Sequence, residues 1–298
     1  MAVRLANLRG RATLLLDERV LDVERGSGGR FSADPMAALA RWDAFASWAQ
    51  NVRPGDADAA LDETALGPPV PRPAKVFGIG MNYREHAKEA GLEIPKTPVV
   101  FTKFPSCLVG PRADVVLSSA YVDWEVELVV VIGRGGRRIR ERDALDHVAG
   151  YCVGQDVSDR KLQFADKPPQ FSMGKSLDTF GPLGPALVSL DAFPDPNDLG
   201  LVCEVGGERM QDARTSDMIF AVPALVTFLA SFCTLEPGDL IFTGTPSGVG
   251  STRHPRRYLA PGEEIVSAIE HVGTLRNHCV AERPLGDLRS TSGRSVLL

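Results

Sequence analysis

The chain has 298 residues, of which 44% are hydrophobic and 24% charged, an ordinary balance for a globular protein with a sizeable core. That length fits one large domain or one domain plus a small one. A net charge of −5 at pH 7 argues against nucleic acid as a partner, yet leaves room for an anionic substrate, because a bound cation can invert the local field.

In chain order, the first 25 residues read as short strands with a turn at Arg9–Arg11. The apolar run Leu14–Leu16 is too short for the core of a secretory signal, and no later run approaches a membrane span. MAALARWDAFASWAQNV then carries helical spacing, with Asp34 as N-cap and Pro35 at the first helical position. A polar stretch leads to GPPVPRPAK, whose four prolines resist both helix and central strand. A boundary is expected near residue 73, separating a small N-terminal domain (1–72) from a larger one (73–282) and a loose tail (283–298).

Beyond that boundary the pattern is mostly strands. KVFGIG, VVFTKF, ADVVLS, WEVELVVVIG, HVAGYCVGQDV, GPALVSL, LGLVCEV, DLIFTGT, EEIVSAIE and VGTLRNHCV all have Val/Ile-rich strand composition. Gly206-Gly207 signals a two-residue hairpin. Ser216–Cys233 reads as helical, with Ser216 as N-cap and Pro223 dividing it into a short turn and a longer helix. The larger domain is therefore mainly β, too strand-dense for a helix-covered parallel sheet. The five cysteines are scattered without a CxxC pair, so neither a zinc site nor a thioredoxin-like motif is indicated. The odd count fits a reducing cytoplasm.

Chemistry concentrates in a few segments. YVDWEVELVVVIG places Glu125 and Glu127 two residues apart in an apolar run, on one face of a strand. Paired carboxylates there repel each other and lose hydration, and a divalent cation relieves both costs. Asp156, at the end of HVAGYCVGQDVSD, adds a third acid, and an all-oxygen set favours Mg2+, Mn2+ or Ca2+ over zinc. The same spacing also fits an exposed face with Asp123, Glu125 and Glu127 turned to water. GIGMNYREHAKEAG puts His86 and Glu89 on one helix face, where the carboxylate can orient the imidazole as a base. It equally fits a surface histidine with a helix-stabilising neighbour. The glycines there lack the third member of a dinucleotide fingerprint. Lys175, in FSMGKSLDTFGPLGP, suits a substrate carboxylate or a developing negative charge, or a solvated loop. Pro169 stands where a phosphate-binding loop needs its first glycine. The FTGTPSGVG loop offers backbone N–H groups and Thr245 to a carboxylate, or forms an ordinary turn. No GxSxG is present, which leaves Ser/His/Asp hydrolysis without support.

Taken in order over residues 75–280, these segments, with TSDMIF at Thr215–Phe220, resemble the fumarylacetoacetate hydrolase family. The resemblance implies a mixed β-roll catalytic domain, mainly β with some α, preceded by a small α/β domain and assembled as a homodimer. It puts Glu125, Glu127 and Asp156 at metal-ligand positions for Mg2+ or Mn2+, with Ca2+ a third option. It also puts His86 and Glu89 at a water-activating lid dyad, and Lys175 at the lysine near the metal. Tyr83, Arg160, Gln163 and Thr245 fall at substrate-contacting positions. Members commonly read Ala-Arg-Asp after the metal-binding aspartate, whereas this chain reads Asp159-Arg160-Lys161, which leaves the substrate open. The implied activity, as in aromatic breakdown, is metal-dependent C–C hydrolysis of an acylpyruvate- or fumarylpyruvate-like 2,4-dioxo acid through a metal-bound enolate. The alternatives are oxaloacetate decarboxylation, dienedioate isomerisation or decarboxylation, ureidoglycolate cleavage, and a non-catalytic binding protein on the same fold.

Overall fold

The computed structural model describes residues 2–282, so the tail expected over 283–298 lies outside the described residues. Val126–Ile132 is buried at every position. A strand without a polar face has to be covered on both sides, which places it centrally in a sheet. It pairs antiparallel with Val148–Gln155 on one edge and Leu240–Phe242 on the other. The sheet continues through Gly181–Ser189 to the N-terminal strands Arg4–Leu8, Arg11–Leu16 and Arg19–Asp22. In the other direction it passes through Val76–Gly80, parallel to Leu240–Phe242, and ends at Val99–Thr102. A second sheet contains Glu208–Arg214, Gly200–Val205, Glu264–Ile269, Gly273–Ala281 and Val115–Leu117. It packs against the first where Glu264–Ile269 and Gly273–Ala281 meet Val148–Gln155. The architecture is a mixed β-roll, mainly β with some helix.

The composition change near residue 73 is not a break in the sheet. Arg4 and Leu5 pair with Val188 and Leu187, and one apolar core includes residues from both sides of residue 73. Backbone from the two sides meets closely at Gly110, where an added Cβ would stand 2.2 Å from the Leu66 carbonyl oxygen.

Local expectations meet the structure unevenly. Gly206 and Gly207 turn the hairpin between Gly200–Val205 and Glu208–Arg214 with φ of +59° and +83°, as a tight reversal requires. Asp34 caps Pro35–Leu39 by accepting from the Met36 N–H at 3.0 Å. The single helix expected beyond it is two pieces, Pro35–Leu39 and Trp42–Ala49, because Arg41 leaves helical conformation at φ −128° and ψ 39°. Ser216 is not a helix cap. It lies in the turn Thr215–Asp217 and donates to Asp198 Oδ1 at 2.8 Å, while the longer helix runs over Val222–Phe232 with Pro223 in its first turn.

Trp42–Ala49 closes the N-terminal end with aromatic packing. The Phe45 ring is fully buried, with centroids 5.4 Å from Phe31, 5.7 Å from Trp42 and 5.8 Å from Trp48. Phe45→Ala is expected to cost about 3–5 kcal/mol, read from denaturant unfolding curves. A loss well under 1 kcal/mol would show that this cluster does not support the sheet beside it.

Candidate active site

The pairing of the two central strands assembles the acids. Glu127 faces Gly154 across the ladder, and the Asp156 N–H donates to the Glu125 carbonyl at 2.9 Å. Glu125 and Glu127, at the start of one strand, therefore meet Asp156, just past the end of the next. Their carboxylate oxygens lie within 4.8 Å of one another, and all three residues are buried. The reading of these acids as a water-facing surface does not hold.

Three buried cations thread the cluster. Lys175 Nζ donates to Glu125 Oε2, Asp156 Oδ2 and Ser158 Oγ, each at 2.7 Å. Lys103 Nζ donates to Asp156 Oδ1 at 2.7 Å and to the Phe180 carbonyl at 3.1 Å, with the Lys175 carbonyl also in contact. Arg160 donates from Nε to Asp123 Oδ2 at 2.9 Å, from Nη2 to Glu125 Oε1 at 2.6 Å and from Nη1 to Gln163 Oε1 at 2.8 Å. Asp123 in turn accepts from the Gly250 and Ser251 N–H groups at 2.7 and 3.0 Å.

With every group ionised, four carboxylates (Asp123, Glu125, Glu127, Asp156) face three cations, leaving one negative charge. That surplus falls on Glu127. Among the described residues it has no cation within ion-pair distance, and its hydrogen bond is to the Gly244 N–H at 2.8 Å. Burial, then the charges of Asp156 and Glu125, push its carboxyl well above the usual carboxylate range. Burial also opposes ionisation of Glu125, but Lys175 and Arg160 outweigh it and hold that carboxyl at about 2. An all-oxygen, buried donor set with one uncompensated charge fits a hard divalent cation, which would reverse the penalty on Glu127.

Beside the cluster is a cavity of about 350 Å³ lined by His86, Glu125, Gln163, Lys175 and Thr245. Phe101 and Phe171 form an apolar wall, their centroids 5.7 Å apart. His86 and Glu89 share the helix Arg84–Glu89, with His86 Nδ1 lying 3.2 Å from Glu89 Oε2. Glu89 also accepts from the Gly248 N–H at 3.1 and 3.2 Å. Burial raises the Glu89 carboxyl, but His86, Thr252 and Gly248 outweigh it and lower the net value. Asn82 pins the start of this segment, donating to the Thr243 carbonyl at 2.7 Å and to the Phe220 carbonyl at 3.1 Å, and accepting from the Phe220 N–H at 2.8 Å.

The expected substrate contacts divide. Gln163 lines the cavity. Thr245 lines it too, but its hydroxyl donates to the Val126 carbonyl at 2.9 Å and accepts from Gln211 Nε2 at 2.8 Å, so it is largely occupied in holding the loop. Arg160 reaches the cavity edge with most of its N–H groups committed to Asp123, Glu125 and Gln163. Tyr83 is buried away from the cavity lining, and among the described residues its hydroxyl has no hydrogen-bond partner. Sequence reasoning missed Lys103 entirely and gave Asp123 no role in the site. Alternation along the strand does place Asp123 on the face of Glu125 and Glu127, so that signal was present.

A model of the fumarylacetoacetate (FAA) hydrolase C-terminal family matches residues 75–280. The human mitochondrial oxaloacetate tautomerase FAHD2A is 47% identical over 214 residues, covering 71% of this chain and 68% of that protein. A Mycobacterium smegmatis protein, provisionally described as HpcE, superposes with a TM-score of 0.89 at 48% identity, covering 94% of this chain and 100% of that one. Maleylpyruvate hydrolase from Sphingobium sp. SYK-6, solved with manganese(II) and pyruvate, gives a TM-score of 0.78 at 27% identity, with 94% and 100% covered. The cytoplasmic expectation gains no support from the mitochondrial relative, and among the described residues no helix is long and apolar enough to cross a membrane.

Glu127→Gln removes the surplus charge and one donor oxygen together. Mn2+ affinity, measured by calorimetry on metal-stripped protein, is expected to fall by at least about tenfold, as in other metal sites that lose a supporting group. Unaltered affinity would place any cation elsewhere.

Proposed function

Because the chain belongs to the fumarylacetoacetate hydrolase family, we propose that it is a divalent-cation-dependent enzyme that interconverts the keto and enol forms of a 2-oxo acid. Oxaloacetate is the first substrate to test, since a relative at 47% identity is an oxaloacetate tautomerase. The observation that carries the reading is the buried triad Glu125, Glu127 and Asp156, of which Glu125 lines a cavity together with Lys175 and His86.

Those three acids would hold Mg2+ or Mn2+, which supplies Lewis acidity toward the carboxylate and 2-oxo oxygens of such a substrate. The protein's own groups then handle the protons. With Glu89 accepting from Nδ1–H, the His86 tautomer leaves Nε2 free to take a proton from C3. The C3–H electron pair becomes the C2–C3 double bond, and the carbonyl pair moves to the 2-oxo oxygen. Lys175, whose three N–H groups are taken by Glu125, Asp156 and Ser158, offsets the charge on that oxygen through its field, and solvent gives the proton. Release of the proton from His86 to solvent closes the cycle with no net change. Phe101 and Phe171 keep one side of the cavity dry.

A second reading, favoured by the His86–Glu89 contact and by the hydrolase neighbour, is C–C hydrolysis of a 2,4-dioxo acid. There His86 takes a proton from water as its oxygen attacks C4. The C3–C4 bond breaks, and C3 accepts a proton to give a 2-oxo acid and a carboxylic acid.

The deciding assay is metal-stripped protein with Mg2+ or Mn2+ restored. Loss of enol absorbance would be followed for oxaloacetate, acetylpyruvate and fumarylpyruvate, with pyruvate and carbon dioxide release measured in parallel. Equilibration of oxaloacetate without either product supports tautomerisation. Pyruvate plus the matching acid from a dioxo acid supports the hydrolase. Carbon dioxide from oxaloacetate would make the protein a decarboxylase. His86→Ala is expected to lower kcat by about 10²–10⁴ while cation binding stays intact, the range for a lost general base. Full activity in that variant removes the proton-transfer role.

A further inference from the structure

The segment that carries the acids steps out of its ladder just where they begin. Val122–Asp123 pairs with Ser158–Asp159 and Val126–Ile132 with Val148–Gln155, while Trp124 and Glu125 lie in neither strand. Three successive buried backbone donors there are received by side chains. The Trp124 N–H donates to Asp123 Oδ1 at 2.9 Å, the Glu125 N–H to Gln155 Oε1 at 2.7 Å and the Val126 N–H to Gln211 Oε1 at 3.0 Å. Gln155 belongs to the neighbouring strand. Gln211 comes from the second sheet, on Glu208–Arg214, and is 1% exposed. An amide buried that deeply is costly unless both of its ends are paired, and both are.

The other end of the Gln211 amide reaches a different segment. Its Nε2 donates to Thr245 Oγ1 at 2.8 Å and to the Pro246 carbonyl at 2.9 Å. Thr245 returns the link to the acid strand by donating to the Val126 carbonyl at 2.9 Å. Val126, the residue between Glu125 and Glu127, is thus tied to Gln211 through its N–H directly and through its carbonyl by way of Thr245. The same loop supplies the Gly244 N–H to Glu127 at 2.8 Å and the Gly248 N–H to Glu89 at 3.1 Å. We propose that Gln211 is a positioning residue for the reaction, one amide that sets the spacing between the strand bearing Glu125 and Glu127 and the loop supporting Glu127 and Glu89. It does not line the cavity, so it acts through the groups it holds. The amide supplies an acceptor to the strand and donors to the loop, a pairing that an apolar side chain of the same length lacks. Without it the strand and loop can shift against each other, and the acids lose their preset separation. The inference rests on the reading of the three acids as cation ligands.

The test uses the full chain and Gln211→Met, which keeps the length of the side chain and loses both ends of the amide. Gln211→Asn, which keeps the amide and shortens its reach, serves should the first variant fail to fold. Asn277→Leu is the control, since Asn277 is fully buried and donates to the Gly110 and Ala113 carbonyls without lining the cavity. Mn2+ affinity, measured by calorimetry, is expected to fall roughly tenfold or more in Gln211→Met, the range for a lost supporting group. Backbone amide exchange over residues 243–248, followed by mass spectrometry on metal-stripped protein, is expected to become about tenfold faster. Asn277→Leu is expected to lower the unfolding midpoint and leave both readouts as in the parent. Parent-like Mn2+ affinity in Gln211→Met, or an equal loss in Asn277→Leu, overturns the positioning role. Unchanged exchange in Gln211→Met overturns the link between strand and loop. Faster exchange in the variant of a parent that binds no Mn2+ removes the cation reading and leaves the link standing.

Discussion

Four carboxylates and three cations share one water-poor interior, and the rest of the chain is arranged to keep them there. Any one of these charges alone would cost several kcal/mol to bury. Each is tolerable only because others arrive from distant segments. Glu125 and Glu127 come from one central strand and Asp156 from the end of its neighbour. Lys103 follows the edge strand Val99–Thr102, Arg160 opens the helix Arg160–Gln163, and Lys175 follows the short helix Phe171–Gly174. Backbone N–H groups of Gly244 and Gly250 complete the set. The network therefore ties loops that the β-ladders leave independent, and its imbalance falls on the one acid with no cation of its own.

How much of this was readable depends on how local the signal was. Glu125 and Glu127 could be paired because strand alternation works over two residues, and His86 with Glu89 because helix spacing works over three. Asp156 needed only the expectation that neighbouring strands pair. Lys103 gave no such sign, since a lysine at the end of a strand is ordinarily solvated. Its burial follows from Phe180 and Asp156, which lie far along the chain. Asp123 shares the acids' face, yet its work depends on contacts with Arg160, 37 residues on, and with the turn at Gly250–Ser251, 127 and 128 residues on. The roll itself was legible from strand composition. The pairing of the N-terminal strands with Gly181–Ser189 was not, because composition changes at residue 73 while the hydrogen-bonded ladder does not.

The condition of Arg160 changes how specificity is assigned. An arginine beside a carboxylate-binding cavity invites a role as the substrate's partner. Here its fork is spent on Asp123, Glu125 and Gln163. It shapes the site by fixing those groups and has little left to offer a ligand. Members of one family can in this way keep their acids and change their substrates, since the residues that choose a ligand are not those that build the floor beneath it.

The contact between Glu89 and Gly248 carries a mechanical consequence. Gly248 has φ of +103°, and a Cβ there would stand 2.1 Å from the Met210 carbonyl oxygen. That same carbonyl accepts from Arg253 Nη2 at 2.9 Å, and the Gly248 carbonyl accepts from Trp124 Nε1 at 3.2 Å. The plate on which the helix Arg84–Glu89 rests is thus braced from behind. On the other side, Asn82 is pinned by three hydrogen bonds. The helix between them is held at both ends, with Arg84 donating to the Asp217 and Met218 carbonyls and Glu89 accepting from Gly248, so His86 and its carboxylate sit as one piece. The orientation of the imidazole is therefore set by the roll before any ligand arrives, as a pre-organised group requires.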